Sequence, residues 1–314
     1  MIVKSLEIEN FRDLKDLKIK FDKDFEIIRL QTVQTCKNVL DSIAISIAPY
    51  VSYFPSAPNK KLKKEDILIS EEAKSCTITI SSFLNSQEIE KFTTLKISKD
   101  NSKKSMKAMQ EYAKNIWLEY LQEDKEDRIF PVISYYDYES LIKNPDPREG
   151  PYILSRGYAY HNCLDPEKNC KDYRNWCKDM CYSEVSEYMN ETLDTGKPPS
   201  KETLLKCKNK DLQVLRDTLS KVSTTSKLFE NNVFSFEFKD PSNPKDEIYL
   251  KILSLIADIA YRCVKLNPAA KDPCKETNGI VLLSITNQEI DLVWLEEELS
   301  KAFPKIQFIL AINF

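Results

Sequence analysis

Glycine and histidine are scarce in this chain of 314 residues. It contains four glycines, none of them among the first 149 residues, and one histidine, His161. Phosphate loops and dinucleotide fingerprints need several glycines within a few residues, because the backbone must approach phosphate with positive φ. One imidazole does not suffice for a multi-histidine metal site, and a Ser-His-Asp triad would have to use His161. Composition alone therefore excludes most familiar enzyme classes.

The charge balance argues against nucleic acid as a general partner. The chain has 46 basic and 49 acidic residues and a net charge of −3, which does not favour broad phosphate neutralisation. The densest basic run, residues 60–64, is interpreted as a solvated loop.

Several absences bear on where the chain resides. No run of 18 apolar residues occurs, and the opening residues lack a signal-peptide pattern, which predicts a cytoplasmic chain without a membrane segment. The nine cysteines then indicate reduced thiols rather than a disulfide framework.

Hydrophobic periodicity predicts an α/β fold. Alternating apolar residues predict strands over 2–11, 17–21, 25–28, 76–80, 92–97, 130–136, 233–238, 279–283 and 306–310. Helical spacing predicts helices from about Asn38 to Tyr50 and over 106–121, 167–190, 200–221, 246–265 and 289–302. We expect a central mixed sheet flanked by helices, with N-terminal antiparallel strands and a helical insert.

Several segments resemble, in order, the RecF/SMC-like branch of ABC-type ATPases. The opening strand ends in Asn10-Phe11-Arg12, and the helix after the third strand carries Leu40-Asp41-Ser42-Ile43. The segments LSLIADIAYRCVKLNP, GIVLL and FPKIQFI are similar to the helix after the ABC signature, the Walker B strand and the strand before the switch histidine. The segments ISYY and CLDP and the helix of Trp176 are similar to a middle region of ATP-binding proteins from bacterial phage-defence loci. The resemblance implies a P-loop NTPase-type head, with ATPase-like lobes at residues 1–136 and 225–314 around an insert at 137–224.

The phosphate loop of this family is replaced in the chain. The family sequence Gly-x-Asn-Gly-Ser-Gly-Lys-Ser/Thr corresponds to residues 30–38, which contain no glycine. Cys36 stands at the lysine position and Lys37 at the hydroxyl that holds Mg²⁺. β-Branched residues resist the positive φ that points successive N–H groups at phosphate.

The other three motifs are changed as well. The family has Asp-Glu after the Walker B strand, where this chain has Ser284-Ile285-Thr286-Asn287, and the nearest acids, Glu289 and Asp291, come later. The signature segment, residues 242–247, contains no glycine, and Asn313 takes the place of the switch histidine. The sequence therefore predicts a fold that is kept without its reaction.

Three residues remain as candidates for a vestigial nucleotide contact: Arg12, Lys37 and Asn38. Arg12 matches the family arginine near the nucleotide, and its alternative role is to pair with an acid at the edge of the sheet. No catalytic residue and no cofactor are expected.

Four cysteines, Cys163, Cys170, Cys177 and Cys181, lie near His161 and suggest a zinc site. Their spacing does not match the paired knuckles of structural zinc sites. On a helix from about residue 167 the last three share one face, so structural thiols are favoured over a metal. The aromatic residues of the same helix, Tyr173, Trp176 and Tyr182, are interpreted as core or interface rather than as a base-stacking platform.

Asp137, Glu139 and Asp146 follow a buried strand, where a magnesium nuclease would gather carboxylates. Nothing in their spacing selects a nuclease site over a solvated loop, and the solvated loop is the interpretation we favour.

The leading hypothesis is a pseudo-ATPase, a catalytically inactive head that acts as a protein-interaction or regulatory subunit. Its partner would be a second copy, an active relative, or a nuclease or toxin effector, and the resemblance implies a bacterial phage-defence setting. The alternative is an unorthodox ATPase that binds ATP and Mg²⁺ through Lys37, Asn38 and the acids after the Walker B strand. A third hypothesis, a nucleic-acid clamp, is disfavoured by the net charge.

Overall fold

The computed structural model shows strands in separate antiparallel and parallel sheets, with helices packed around the parallel one. The structure describes residues 1–54, 60–70, 72–83, 90–99, 102–105, 107–120, 128–141, 155–168, 170–196, 200, 202, 206–222, 228–230, 237–239, 241–286 and 289–313.

An antiparallel sheet forms the N-terminal part of the molecule. Its strands are β1 (Ile2–Phe11), β2 (Leu14–Lys20), β4 (Ser75–Phe83), β5 (Glu90–Ser98) and β6 (Ser102–Ser105). They lie in the order β2-β1-β4-β5-β6. The pairing register of β1 shifts between Val3 and Ser5, so Val3 and Leu6 are both buried although they are three residues apart.

A parallel sheet forms the core. Its strands are β3 (Phe25–Leu30), β7 (Val132–Asp137), β10 (Gly279–Ile285) and β11 (Ile306–Asn313). They lie in the order β3-β11-β10-β7, and every pairing is parallel. All residues of β7 and β10 are buried, as expected for a parallel sheet covered on both faces. The predicted α/β class is confirmed, and the antiparallel strands form their own sheet instead of mixing with the core strands.

The helices have distinct environments. They are α1 (Val33–Val51), α2 (Lys107–Tyr120), α3 (Lys171–Thr195), α4 (Lys210–Ser220), α5 (Pro244–Leu266), α6 (Pro273–Glu276) and α7 (Leu292–Ala302). A short antiparallel pair, β8 (Phe229–Glu230) and β9 (Glu237–Phe238), precedes α5. Both α1 and α5 are buried on almost all sides, which the nearly continuous apolar character of their sequences predicts.

Two buried ion pairs fix the helical insert. Arg262 of α5 donates to Asp258 one turn earlier at 2.7 Å and also to the carbonyl of Ala159 in the insert. Arg216 of α4 donates to both carboxylate oxygens of Glu184 of α3 at 2.8 and 2.9 Å. These side chains are at most 1% exposed. Loss of one partner of such a pair costs about 3–5 kcal/mol. The pair in α5 positions Arg262 for its contact with Ala159, and the second pair holds α3 to α4 within the insert.

Most predicted elements are confirmed with shifted ends. The helix predicted over 246–265 is α5, and the strand predicted over 279–283 is β10. The strand predicted over 233–238 lies mostly outside the described residues. The division into segments 1–136, 137–224 and 225–314 stays a prediction.

None of the described helices is both long enough and apolar enough to cross a membrane.

Gly279 generates the first testable prediction. Its φ is +151°, and a Cβ atom at this position would lie 1.9 Å from the carbonyl oxygen of Val132 in β7. We predict that Gly279→Ala lowers the free energy of unfolding by about 3 kcal/mol or more, because backbone must move to make room. The control is Gly196→Ala, where φ is +59° and no atom lies within 4 Å. Only the left-handed conformation costs energy there, about 1 kcal/mol. Urea unfolding followed by circular dichroism measures both, and equal effects would contradict the account.

Candidate functional site

The segment that corresponds to the family's phosphate loop is the start of a helix. α1 begins at Val33, directly after its N-cap Thr32, so the predicted helix is confirmed but starts before the predicted Asn38. The Thr32 hydroxyl accepts a hydrogen bond from the Thr35 N–H at 3.0 Å, which is the capping contact that the sequence interpretation overlooked. The whole segment is described, and none of its residues has a positive φ. The concave run of N–H groups that cradles a phosphate is therefore not formed.

A carboxylate of the chain itself lies beside this helix start. Asp13, in the turn between β1 and β2, accepts hydrogen bonds from the Thr35 hydroxyl at 2.9 Å and from the Asn38 amide at 2.6 Å. The N-terminal end of a helix attracts anions through its free N–H groups and its dipole. Asp13 supplies an internal negative charge at the end of α1 that a phosphate would approach.

Arg12 forms ion pairs and a further hydrogen bond with neighbouring side chains. Its φ is +51°, in the left-handed region that residues other than glycine rarely adopt. The guanidinium donates to Asp41 at 2.5 Å, to Asp66 at 2.9 Å and to the Asn38 side-chain oxygen at 2.9 Å. Partial burial opposes the charge, but the hydrogen bonds to Asp41 and Asp66 raise the pKa of Arg12. The structure thus places Arg12 in a pairing with acids rather than leaving it free for a nucleotide.

Lys37 reaches the far strand of the parallel sheet. Its Nζ lies 2.9 Å from Oδ2 of Asp137, the last residue of β7, and the Asp137 side chain is only 8% exposed. Asp137 is in register with Ser284 of β10. The ion pair therefore lies beside the strand end that corresponds to the family's Walker B carboxylates, and Lys37 neutralises an acid of the chain.

Glu139 is also paired. Its carboxylate accepts from Lys251 at 2.9 Å and from the Thr286 hydroxyl at 2.9 Å. Burial alone would raise the pKa of Glu139, but these hydrogen bonds and the charges of Lys251 and Lys37 lower it. The solvated-loop interpretation is therefore wrong for Asp137, which is buried in an ion pair, and Asp146 lies outside the described residues.

The basic run at residues 60–64 is not the wholly solvated loop that we predicted, because Lys60 turns inward. Its Nζ lies 2.7 Å from Oδ1 of Asp41 and donates to the carbonyl of Leu164 at 3.2 Å. It also lies 4.9 Å from the centre of the Tyr135 ring, within cation–π range. Asp41 is consequently shared between Lys60 and Arg12.

The other changed motifs serve local structure. Asn243, in the segment that corresponds to the ABC signature, is the N-cap of α5 and accepts a hydrogen bond from the Asp246 N–H at 3.0 Å. The carboxylate of Asp246 lies in the first turn of the same helix. Asp291 caps α7 in the same way. Ser284 is fully buried, and its hydroxyl has no hydrogen-bond partner among the described residues. Asn313 ends β11. Groups that bind or activate phosphate in the family are thus replaced by caps and packing residues.

The cysteines of the zinc hypothesis are buried and separate. In the part of the chain that the structure describes, no three His, Cys, Asp or Glu side chains are arranged to hold a metal ion. Cys163, Cys170, Cys177 and Cys181 therefore do not form such a group, although Cys177 and Cys181 lie one helical turn apart. Burial raises the pKa of Cys163 to about 12 and also raises the pKa of Cys177.

The remaining candidates of this region divide between core and surface. Tyr173 and Trp176 are buried, as interpreted, whereas Tyr182 is 62% exposed. His161 stacks on Tyr158, and its Nδ1 lies 2.7 Å from Asp172. His161 thus takes part in holding the start of α3 to the segment that precedes it.

Sequence reasoning did not identify three residues that complete the site: Asp13, Lys60 and Asp66. The only indication in the sequence that Asp13 belongs to the site is that it follows Arg12 directly. Lys60 and Asp66 meet the Arg12 region through long-range contacts, and nothing in their local sequence indicates them.

Comparison with known proteins finds a similar curated protein and similar solved structures. No protein-family model matches the chain. The chain is similar to the Retron Ec83 probable ATPase of Escherichia coli, with 26% identity over 59% of this chain and 44% of that protein. The match thus spans less than half the length of that curated relative.

Solved structures match over most of the chain. They include an SMC head bound to the C-terminal winged-helix domain of ScpA, with 12% identity, coverage of 99% and 90% of the two chains, and a TM-score of 0.48. The ATP-bound recombination mediator RecF matches with 14% identity, coverage of 99% and 93%, and a TM-score of 0.42. At these values the matches say nothing about residues or activity. The similarity to the Retron Ec83 probable ATPase agrees with the resemblance to ATPases that the sequence motifs indicate.

Arg12 provides a test of the site's internal pairing. Replacement by alanine or glycine removes the same hydrogen bonds to Asp41 and Asp66, but only glycine relieves the positive φ. We therefore predict that both variants are less stable than the wild type, and that Arg12→Gly is more stable than Arg12→Ala by about 1 kcal/mol. Thermal and urea unfolding of the three proteins measures this order. The reverse order would show that the backbone strain is absent in solution.

The thiols provide a test of the metal hypothesis. Because all nine cysteines are buried and thiolates are the reactive form, we predict slow reaction with Ellman's reagent at neutral pH and nine reactive thiols after unfolding. EDTA is expected to leave the melting temperature unchanged. A stoichiometric zinc content in the purified protein, with destabilisation by EDTA, would contradict this account.

Proposed function

We propose that this chain is a catalytically inactive ABC/SMC-like ATPase head that serves as a protein-interaction or regulatory subunit. The observation that supports the proposal most strongly is the set of ion pairs around the start of α1. The three cations that the structure describes around this helix start, Arg12, Lys37 and Lys60, are each bound to a carboxylate of the chain.

The balance of charge disfavours a nucleotide. Three cations and four carboxylates meet in this region: Arg12, Lys37 and Lys60 with Asp13, Asp41, Asp66 and Asp137. A triphosphate, itself strongly anionic, would have to displace these carboxylates from their charge-assisted hydrogen bonds. Each such bond is worth about 1.5–3 kcal/mol. The family's glycine-rich loop, which would supply compensating N–H groups, is replaced by the capped first turn of α1.

The residues that would support hydrolysis are also replaced. Phosphoryl transfer requires a magnesium-linked carboxylate and a residue that orients water. The end of β10 offers Ser284 and Thr286 instead. The nearby acids on the β7 side, Asp137 and Glu139, are bound to Lys37 and Lys251. A bound nucleotide would therefore still lack the groups that activate water.

A protein partner accounts for a fold kept without its reaction. The curated relative is a probable ATPase of a retron, which supports a place in a bacterial phage-defence complex in the cytoplasm. The proposed partner is a second copy, an active ATPase relative, or a nuclease or toxin effector. The ScpA-bound SMC head is a protein complex by its own description, and that property is extended to this chain only as part of the proposal.

A phosphate-release assay with Mg²⁺ and ATP tests the inactive state. We predict a rate equal to the buffer blank for the wild type, because the acids described beside the end of β10, Asp137 and Glu139, are held in ion pairs. Lys37→Ala is expected to give the same rate, and so is the control Lys18→Ala, which changes a 67% exposed lysine of β2. Turnover that falls in Lys37→Ala but not in Lys18→Ala would overturn the proposal and favour the unorthodox ATPase.

A further inference from the structure

Two buried cysteines lie together where the chain folds back on the end of α5. Cys263, in the last turn of α5, is fully buried, and Cys274 of α6 is only 2% exposed. Their thiol groups are in hydrogen-bonding contact with each other. The Asn267 side chain closes the fold-back by donating to the Thr277 hydroxyl at 2.7 Å. The fold therefore holds two thiols side by side.

The surroundings of Cys274 differ from those of Cys263, because Cys274 lines a cavity between α4, α6 and α7. The Thr218 hydroxyl of α4, which also lines this cavity, lies 3.6 Å from the sulfur of Cys274. The cavity has a volume of about 30 Å³, enough for a molecule of the size of water. Hydrogen peroxide is of that size, whereas an aromatic disulfide such as Ellman's reagent is much larger. The cavity thus admits a small oxidant to Cys274.

The wall of the cavity carries more positive than negative charge. It is lined by three exposed lysines and two acids, namely Lys221, Lys275, Lys301, Asp272 and Glu298. Positive charge near a cysteine favours the thiolate, which is the form that attacks an oxidant. Burial, and then the contact with Cys274, raise the pKa of Cys263, so that residue keeps its proton. Of the two thiols, Cys274 is the one placed to react first.

We propose that Cys274 and Cys263 form a modification site that hydrogen peroxide converts to a disulfide. The Cys274 sulfur attacks one peroxide oxygen and the O–O bond breaks. The other oxygen leaves as water with the thiol proton, and Cys274 becomes a sulfenic acid. The Cys263 sulfur then attacks the Cys274 sulfur, the S–O bond breaks, and a second water leaves with the proton of Cys263. The two thiols are oxidised by two electrons and the peroxide is reduced.

This site shares no residue with the ion pairs at the start of α1. The outcome of its test therefore leaves the proposed function unaffected.

The test begins with the reduced wild-type protein in its native state. Hydrogen peroxide is added and then removed, the remaining thiols are blocked with N-ethylmaleimide in urea, and a tryptic digest is analysed by mass spectrometry without reduction. Cleavage at lysine and arginine places the two cysteines in separate short peptides, 263–265 and 272–275. We expect these peptides to be recovered as one disulfide-linked species. The free thiols counted after unfolding are expected to fall by two from the nine of the reduced chain.

Variants separate the two steps. In Cys263→Ala the sulfenic acid has no second thiol to react with, so dimedone added together with the urea is expected to label Cys274. In Cys274→Ser we expect no label on Cys263, because Cys263 does not line the cavity. The matched control is Cys177→Ala, which removes another buried helical thiol, 1% exposed, and is expected to yield the same linked peptides as the wild type.

The wild-type experiment decides the inference even if a variant does not fold. Nine free thiols after peroxide treatment, or a disulfide that joins other cysteines such as Cys177 and Cys181, would overturn it. Labelling of Cys263 instead of Cys274 in the variants would overturn the assigned order of attack. The melting temperature of each variant shows whether its labelling reports on the native state.

Discussion

The structure depends on the pairing of Arg12, Lys37 and Lys60, around the start of α1, with carboxylates of other segments. Arg12 holds the β1–β2 turn to Asp41 of α1 and to Asp66 before the antiparallel strand β4. Lys37 joins α1 to the end of β7 through Asp137. Because these pairs link segments that are distant in sequence, they position the two sheets relative to α1. The same charges cannot simultaneously serve a triphosphate without releasing those segments.

These ion pairs give a physical reason for the proposed loss of ATP binding and hydrolysis. In a phosphate-binding loop, lysine and backbone N–H groups are left unsatisfied until the ligand arrives, which is why the anion binds there. Here Thr32 caps the helix and Asp13 faces it, so the need for an anion is met internally. In the proposed inactive head, these internal contacts take the place of a bound anion and keep the packing around α1.

The sequence predicts the fold better than it predicts the site. Period-two alternation and long apolar helices identify β10, β11 and α5, because burial on two sides leaves a continuous apolar pattern. The start of α1 was misplaced because the resemblance assigned a loop to residues whose own chemistry, a threonine cap and no glycine, favours a helix. The partners of Lys37 and Lys60 were unpredictable in principle, since they lie on separate strands and helices that only the tertiary fold brings together.

Calorimetric titration of the purified chain with ATP in the presence of Mg²⁺ tests the central claim most directly, because it reports binding whether or not hydrolysis follows. The account predicts no saturable heat at millimolar ATP, since displacing Asp13, Asp41 and Asp137 from their partners offsets any gain from phosphate. Saturable binding in the micromolar range that requires Mg²⁺ would contradict it and would show that the internal carboxylates yield to the nucleotide.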